Sequence, residues 1–325
     1  MACTGFFRTG ILSKGLHMKK ISIVGAGRVG ESTAHNLAKA ELCREIALID
    51  IVVGVPQGTA LDIQESAPVF GFDTKLTGHN NLDAMARSDL IIITAGLPRK
   101  PGMSRSDVLD ANVPIITSIM DEAKRTAPDA IVIMVTNPVD VLTYVAWKRT
   151  GWDRQRLLGL SGVLDSTRMA SFVAMETGLS VKDITAMVLG GHGDTMVPLP
   201  RYTCVNGIPI TQLMNSEQIA RIVKRTREGG AEILALRKTS SAYDAPAAAV
   251  ATMVDAIQND RKRILPCVAI LDGEYGQKGI CMGVPVILSD RGMQEVVELD
   301  LNAEEKAAFL GSAGQVRADI ARLSL

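Results

Sequence analysis

The run Lys19-Lys20-Ile21-Ser22-Ile23-Val24 meets Gly25-Ala26-Gly27-Arg28-Val29-Gly30, and a helical pattern with apolar Val29, Ala34, Leu37 and Ala38 follows at once. A short β-branched strand, a Gly-x-Gly-x-x-Gly turn and a helix form the context that a dinucleotide-binding βαβ unit requires. Gly25 permits the tight turn, Gly27 leaves room for a pyrophosphate, and Gly30 lets helix and strand approach. The first helical N–H groups and the positive end of the helix dipole then face the phosphates. The next apolar run, Glu45-Ile46-Ala47-Leu48-Ile49, ends in Asp50, 20 residues after Gly30. A carboxylate there accepts from ribose hydroxyls and repels a 2′-phosphate, which predicts NAD rather than NADP. Without that strand, helix and acid, the three glycines would read as an ordinary turn.

Working outward, Val55 to Glu65 reads as a helix and Thr74 to Thr77 as a short strand. Asp89 to Thr94 and Ala130 to Thr136 are continuous apolar runs, as expected of strands covered on both faces. Leu157 to Leu160 completes the series, with helices at Ser106–Lys124, where Pro114 is expected to break or kink the helix, and Val139–Lys148. Strands alternating with helices predict an α/β fold, a doubly wound parallel sheet of the Rossmann type over residues 18–161. Beyond Gly162 the texture changes. Long helical patterns (Val163–Thr177, Glu217–Leu236, Ala245–Gln258, Ala303–Leu323) mix with short strands (Ile184–Leu189, Arg201–Val205, Ile264–Leu271, Val284–Leu288). Asn206-Gly207 and Asp272-Gly273 suggest hairpins. Residues 162–325 are therefore read as a second, α+β domain, packed on the first without a linker.

Charge is balanced at 35 basic against 35 acidic residues, so no basic stripe predicts a nucleic-acid partner. No apolar run is long enough to span a membrane. The five cysteines, Cys3, Cys43, Cys204, Cys267 and Cys281, are odd in number and contain no Cys-x-x-Cys pair. A disulfide framework or a metal site is not expected, and a reducing, cytoplasmic setting is. Residues 1–17 carry Arg8 and Lys14 without an acid and faintly resemble a targeting leader. Because Met18-Lys19-Lys20-Ile21 looks like a natural start, they are read as an upstream extension or misplaced start, poorly ordered.

Three further stretches carry chemistry. Gly191-His192-Gly193-Asp194 ends an apolar run with a histidine, the side chain that can give and take a proton near neutral pH. Asp165 and Arg168 stand three apart and share one helical face. On a wet surface they are an ordinary ion pair. If the face meets His192, the carboxylate orients the imidazole and the guanidinium forks onto a substrate carboxylate. The loop Gly96-Leu97-Pro98-Arg99-Lys100-Pro101-Gly102-Met103-Ser104-Arg105 follows a central strand, where a lid over a ligand belongs.

The fingerprint with Asp50, this loop, Val135-Thr136-Asn137-Pro138, Leu164-Asp165-Ser166-Thr167-Arg168 and Gly191-His192-Gly193-Asp194 together resemble the lactate/malate dehydrogenase family in order and spacing. The loop with Arg99, and Ala245-Pro246-Ala247-Ala248-Ala249, look most like its bacterial, lactate-dehydrogenase-like malate branch. The resemblance implies reversible oxidation of (S)-malate to oxaloacetate, a tricarboxylic acid cycle reaction, by a homo-oligomer, dimer or tetramer, using NAD and no metal. It implies His192 as proton acceptor and donor, Asp165 as its partner, and Arg168 as the grip on the carboxylate beside the reacting carbon. Arg105 would polarise the carbonyl oxygen, and Asn137 would contact substrate and nicotinamide across a cis Asn137–Pro138 bond. Gly25, Ala26, Gly27, Arg28, Val29, Gly30, Asp50, Asn112, Val135, Thr136 and Asn137 would line the cofactor site.

Substrate choice rests on Arg99, which pairs with the second carboxylate that malate has and lactate lacks. Stranding that charge under a closed lid costs about 3–5 kcal/mol, by analogy with breaking a buried pair, so pyruvate is expected to be disfavoured on the order of a hundredfold or more. L-Lactate dehydrogenase is the near alternative. An NAD-dependent glycosidase would need metal-ligating Cys and His where this chain has Asp165 and Arg168. A non-catalytic NAD sensor would have no need of His192, Asp165 and three arginines together. Asp244, where an aromatic or small residue is expected, and Ser241 are placed near the substrate wall.

Overall fold

The computed structural model describes residues 18–97 and 105–323. The expectation for residues 1–17 lies outside that range.

Six parallel strands build the first half: β1 (Lys20–Val24), β2 (Glu45–Ile49), β3 (Lys75–His79), β4 (Leu90–Ile93), β5 (Ile131–Met134) and β6 (Leu157–Gly159). Their spatial order is β6-β5-β4-β1-β2-β3. β4, β5 and β6 are buried at every residue, as continuous apolar runs predict for a sheet covered by helices on both faces. The order reverses direction between β1 and β4, which pair in parallel from Ile21 opposite Leu90 to Val24 opposite Ile93. A crevice opens at such a switch point beyond the carboxyl ends of the strands. The fingerprint leaves β1 there, Asp50 leaves β2, Thr94-Ala95-Gly96 leave β4, and Thr136-Asn137 leave β5.

The three long strands of the second half do not form a sheet of their own. Arg263–Asp272 pairs antiparallel with β6 through Val268 opposite Gly159, and Lys278–Ser289 and Gly292–Val296 extend the same sheet to nine strands. These strands are longer than the short ones expected, and Gly292–Val296 was not foreseen. One apolar core therefore runs through both halves, with Ile21 and Leu37 from the first and Val250, Val284 and Phe309 from the second.

Other expectations are corrected. Ile184–Leu189 is two short strands, Ile184–Thr185 and Val188–Leu189, in different small sheets. Arg201–Val205 begins as a 3-10 turn (Pro200–Tyr202) before the strand Cys204–Val205. Pro114 does not break the helix Arg105–Thr126. It lies on the exposed face, as does Asp110 four residues earlier, whose carbonyl is the one left without its helical N–H partner. The Asn206-Gly207 hairpin forms as expected, both residues at positive φ.

Candidate active site

The cradle at the end of β1 is shaped by what glycine lacks. A Cβ on Gly30 would stand 1.9 Å from the carbonyl oxygen of Gly25, so helix and turn touch backbone to backbone. A Cβ on Gly27 would meet nothing within 4 Å. Gly27 also caps the helix Arg28–Lys39, and among the described residues no side chain accepts from its first N–H groups. Open space over unspent donors at a positive helix end fits a dinucleotide pyrophosphate. Asp50 accepts from the N–H of Ala26 at 2.8 Å and of Val52 at 3.0 Å. Its carboxylate thus ties the turn to β2 and retains lone pairs for a sugar.

Across the crevice, Asn112 is fully buried. Its carbonyl accepts from Leu97 N–H at 2.7 Å, and its amide donates to the carbonyl of Asn137 at 3.0 Å. Asn112 therefore ties the base of the long loop to the end of β5. Thr136 Oγ1 donates to the carbonyl of Ala95 at 2.7 Å, Val135 is partly buried, Asn137 is exposed, and the Asn137–Pro138 bond is cis. Arg99 lies outside the described residues. Arg105 opens the helix Arg105–Thr126, and its side chain too lies outside the description.

The helix Gly162–Thr177 begins just beyond β6 and carries Asp165 in its first turn. Asp165 is 1 % exposed. Its Oδ2 lies 2.8 Å from His192 Nδ1, and its Oδ1 accepts from Arg168 Nη1 at 3.1 Å. The i,i+3 pair is not a surface pair: it faces the histidine, as the second reading of its spacing requires. Arg168 Nε is buried without a hydrogen-bond partner among the described residues, so the guanidinium keeps donors for an anion. Burial by itself would lower the proton affinity of His192. The charge and hydrogen bond of Asp165, with the charge of Asp140, outweigh burial and Arg168 and raise its pKa above the ordinary 6.5.

Two residues that sequence reading did not single out hold the loop of His192. Asp140 Oδ2 accepts from His192 N–H at 2.9 Å, and Ser312 Oγ accepts from Gly191 N–H at 2.8 Å. The loop leaves Val188–Leu189 and returns through Val197–Pro198. It is further hooked to the main sheet by Gly190 paired with Gly283. Elsewhere, Asp244 is exposed and paired with Arg237 at 3.4 Å. Arg237 lies 4.0 Å from the ring of Tyr243, a ring that Arg28 of the fingerprint approaches at 6.0 Å. Ser241 is exposed in the same loop.

Residues 19–159 match the NAD-binding domain of lactate/malate dehydrogenases, and residues 162–324 match their alpha/beta C-terminal domain. The chain belongs to the lactate/malate dehydrogenase family. Among members of this family, a malate dehydrogenase of Nitrosococcus oceani is 63% identical over 94% of this chain and 99% of its own length. One of Thioalkalivibrio sulfidiphilus is 61% identical over 94% of this chain and 100% of its own. The solved malate dehydrogenase of Salinibacter ruber superposes with a TM-score of 0.89 at 46% identity, covering 93% of this chain and 96% of that one. A lactate dehydrogenase of Cryptosporidium parvum, solved with lactic acid and nicotinamide adenine dinucleotide, superposes equally well, at 0.90 and 38% identity over 94% of this chain and 98% of that one. The backbone shared across the family therefore does not separate the two substrates.

Proposed function

We infer that this chain is an NAD-dependent malate dehydrogenase that interconverts (S)-malate and oxaloacetate. The observation that carries the reading is the buried array of Asp165, His192 and Arg168, set in a chain more than 60% identical to bacterial malate dehydrogenases over nearly its whole length.

NAD, when bound, supplies the acceptor or donor of the hydride at the substrate's hydroxyl-bearing carbon. The residues of this chain do the rest. Arg168 offers paired N–H donors to the carboxylate beside that carbon, and Arg99 meets the far carboxylate. Asp165 holds the Nδ1 side of His192, which leaves Nε2 to take the hydroxyl proton as malate is oxidised and to return it as oxaloacetate is reduced. Arg105 steadies negative charge growing on the carbonyl oxygen. Asn137 bridges substrate and nicotinamide end. Gly25 to Gly30, Asp50, Val135 and Thr136 seat the cofactor, with Asn112 acting through Leu97 and Asn137. Residues 18–161 serve as the NAD-binding unit and 162–325 as the substrate unit. The enzyme works as a cytoplasmic homo-oligomer, dimer or tetramer, in the tricarboxylic acid cycle.

The test is NADH consumption with oxaloacetate and with pyruvate, against a His192→Ala control. Oxaloacetate turnover should exceed pyruvate turnover by on the order of a hundredfold or more, and Arg99→Gln should narrow that ratio chiefly by losing oxaloacetate activity. Pyruvate turnover matching oxaloacetate would overturn the assignment, and no turnover of either would make the chain a binder.

A further inference from the structure

Asp140 is the second residue of the helix Val139–Thr150, directly after Asn137-Pro138, and it is 0% exposed. Its position at the carboxyl end of β5 brings it under the His192 loop, where Oδ2 accepts from the His192 main-chain N–H at 2.9 Å. A Cβ on Gly191 would lie 3.6 Å from that oxygen, so the loop passes close over the carboxylate.

An anchor for a main-chain N–H does not need charge. The neighbouring N–H, that of Gly191, is held by the neutral hydroxyl of Ser312 at 2.8 Å. Burying a carboxylate costs far more than burying a hydroxyl. The first turn of a helix favours the anionic form, and the N-cap residue of this helix, Pro138, supplies no side-chain cap. We propose that Asp140 is a positioning residue for the reaction, a second carboxylate that fixes the His192 loop by its main chain and helps the imidazole hold its proton by its charge.

The surroundings are consistent with that role. From the helix Gly162–Thr177, Asp165 favours the imidazolium and Arg168 opposes it. From the helix Val139–Thr150, Asp140 favours it, and burial opposes it. Ser312, on the C-terminal helix, hydrogen-bonds the main-chain N–H of Gly191 and the hydroxyl of Thr195. Cys281, on the strand Lys278–Ser289, has its thiol kept neutral chiefly by burial, with the charge of Asp140 adding to the effect and that of Lys148 opposing it. The ring therefore answers to two carboxylates, of which only Asp165 touches it.

The proposal rests on the malate dehydrogenase reading for its kinetic arm and not for its spectroscopic one. Asp140→Asn keeps an acceptor of the same shape and removes the charge. NMR titration of the imidazole, assigned by the signal lost in His192→Gln, should show the midpoint moved down by on the order of one pH unit. In kinetics, the limb along which oxaloacetate reduction falls and malate oxidation rises should move down by the same amount. Reduction at neutral pH then weakens while oxidation at low pH improves. A purely structural Asp140 would lower both directions at every pH and leave the midpoint in place, and that result overturns the proposal. Wild-type protein inactive with oxaloacetate would sink the functional reading alone, because the NMR midpoint still decides the role of Asp140. Should Asp140→Asn fail to fold, Asp140→Glu serves: the charge is kept and the reach changed, so the midpoint should stay near wild type, and a midpoint displaced by a unit would count against the proposal.

Discussion

His192 is pulled two ways, and the sign of the result makes a stability prediction. Its pKa in the folded protein is raised. Its contribution is therefore fully present below the ordinary unfolded value of about 6.5 and is lost as pH rises through the folded value. The stability gap between wild type and His192→Gln, from urea melts, should be larger near pH ~6 than near pH ~9. A gap that widens with pH would contradict this balance. At this scale residue type and the i,i+3 spacing left two readings of Asp165 and Arg168 open, a surface ion pair or a face turned to His192. The family resemblance favoured the second, and the three side chains do meet in space. Asp140 and Ser312 gave no such sign, because a side chain that accepts from a distant main-chain N–H leaves no spacing to read: their partners lie 52 and 121 residues away. Asp244 was singled out for its unusual type and is found in an exposed pair with Arg237, flanking a tyrosine that reaches toward the fingerprint.

Among the elements, the C-terminal helix Ala303–Ala321 has a part in the site that its position in the chain does not suggest. It opens with a capping box, the Asn302 side chain accepting from Glu305 N–H at 2.9 Å while the Glu305 side chain accepts from Asn302 N–H at 2.9 Å. It buries Phe309, Ala313 and Val316 and presents Ser312 to the His192 loop. Ser312→Ala would leave the Gly191 N–H buried and unpaired, a loss of about 1–3 kcal/mol. Urea denaturation should show it, together with a lower kcat and unchanged NADH binding. A variant as stable and as active as wild type would remove the helix from the account. Parallel strands and their crossover helices were legible here because each carries its own period. Around His192 legibility was partial: Val188–Leu189 was read only as the end of one longer strand and Val197–Pro198 was missed, because each is two residues long and is held by pairing and the nearby Gly190–Gly283 bridge rather than by a pattern of its own.

For the whole molecule, the proposed self-association has a physical motive. Leu61, Val69 and Phe70 are 60%, 84% and 49% exposed on neighbouring helices, Val55–Glu65 and Ala67–Phe70. Large apolar side chains left exposed on adjoining elements favour a protein partner over water. Sedimentation should give a mass two or four times that of the monomer, and Val69→Asp with Phe70→Asp should shift it downward; a monomeric wild type would end the proposal. The doubly wound parallel sheet was readable in advance, though not the order of its strands, because strands alternate with helices and burial on both faces leaves continuous apolar runs. The joining of the second half to the same sheet was not, because an edge pairing through Val268 and Gly159 involves few residues. That joining means the glycine cradle at the end of β1 and the His192 loop ride on one continuous framework. Gly283, on the strand Lys278–Ser289, is paired directly with Gly190 beside that loop, while Phe309 and Ile21 share one interior. The gene could not be cut near residue 160 into two portable modules, since each piece would carry a raw seam where the other belongs.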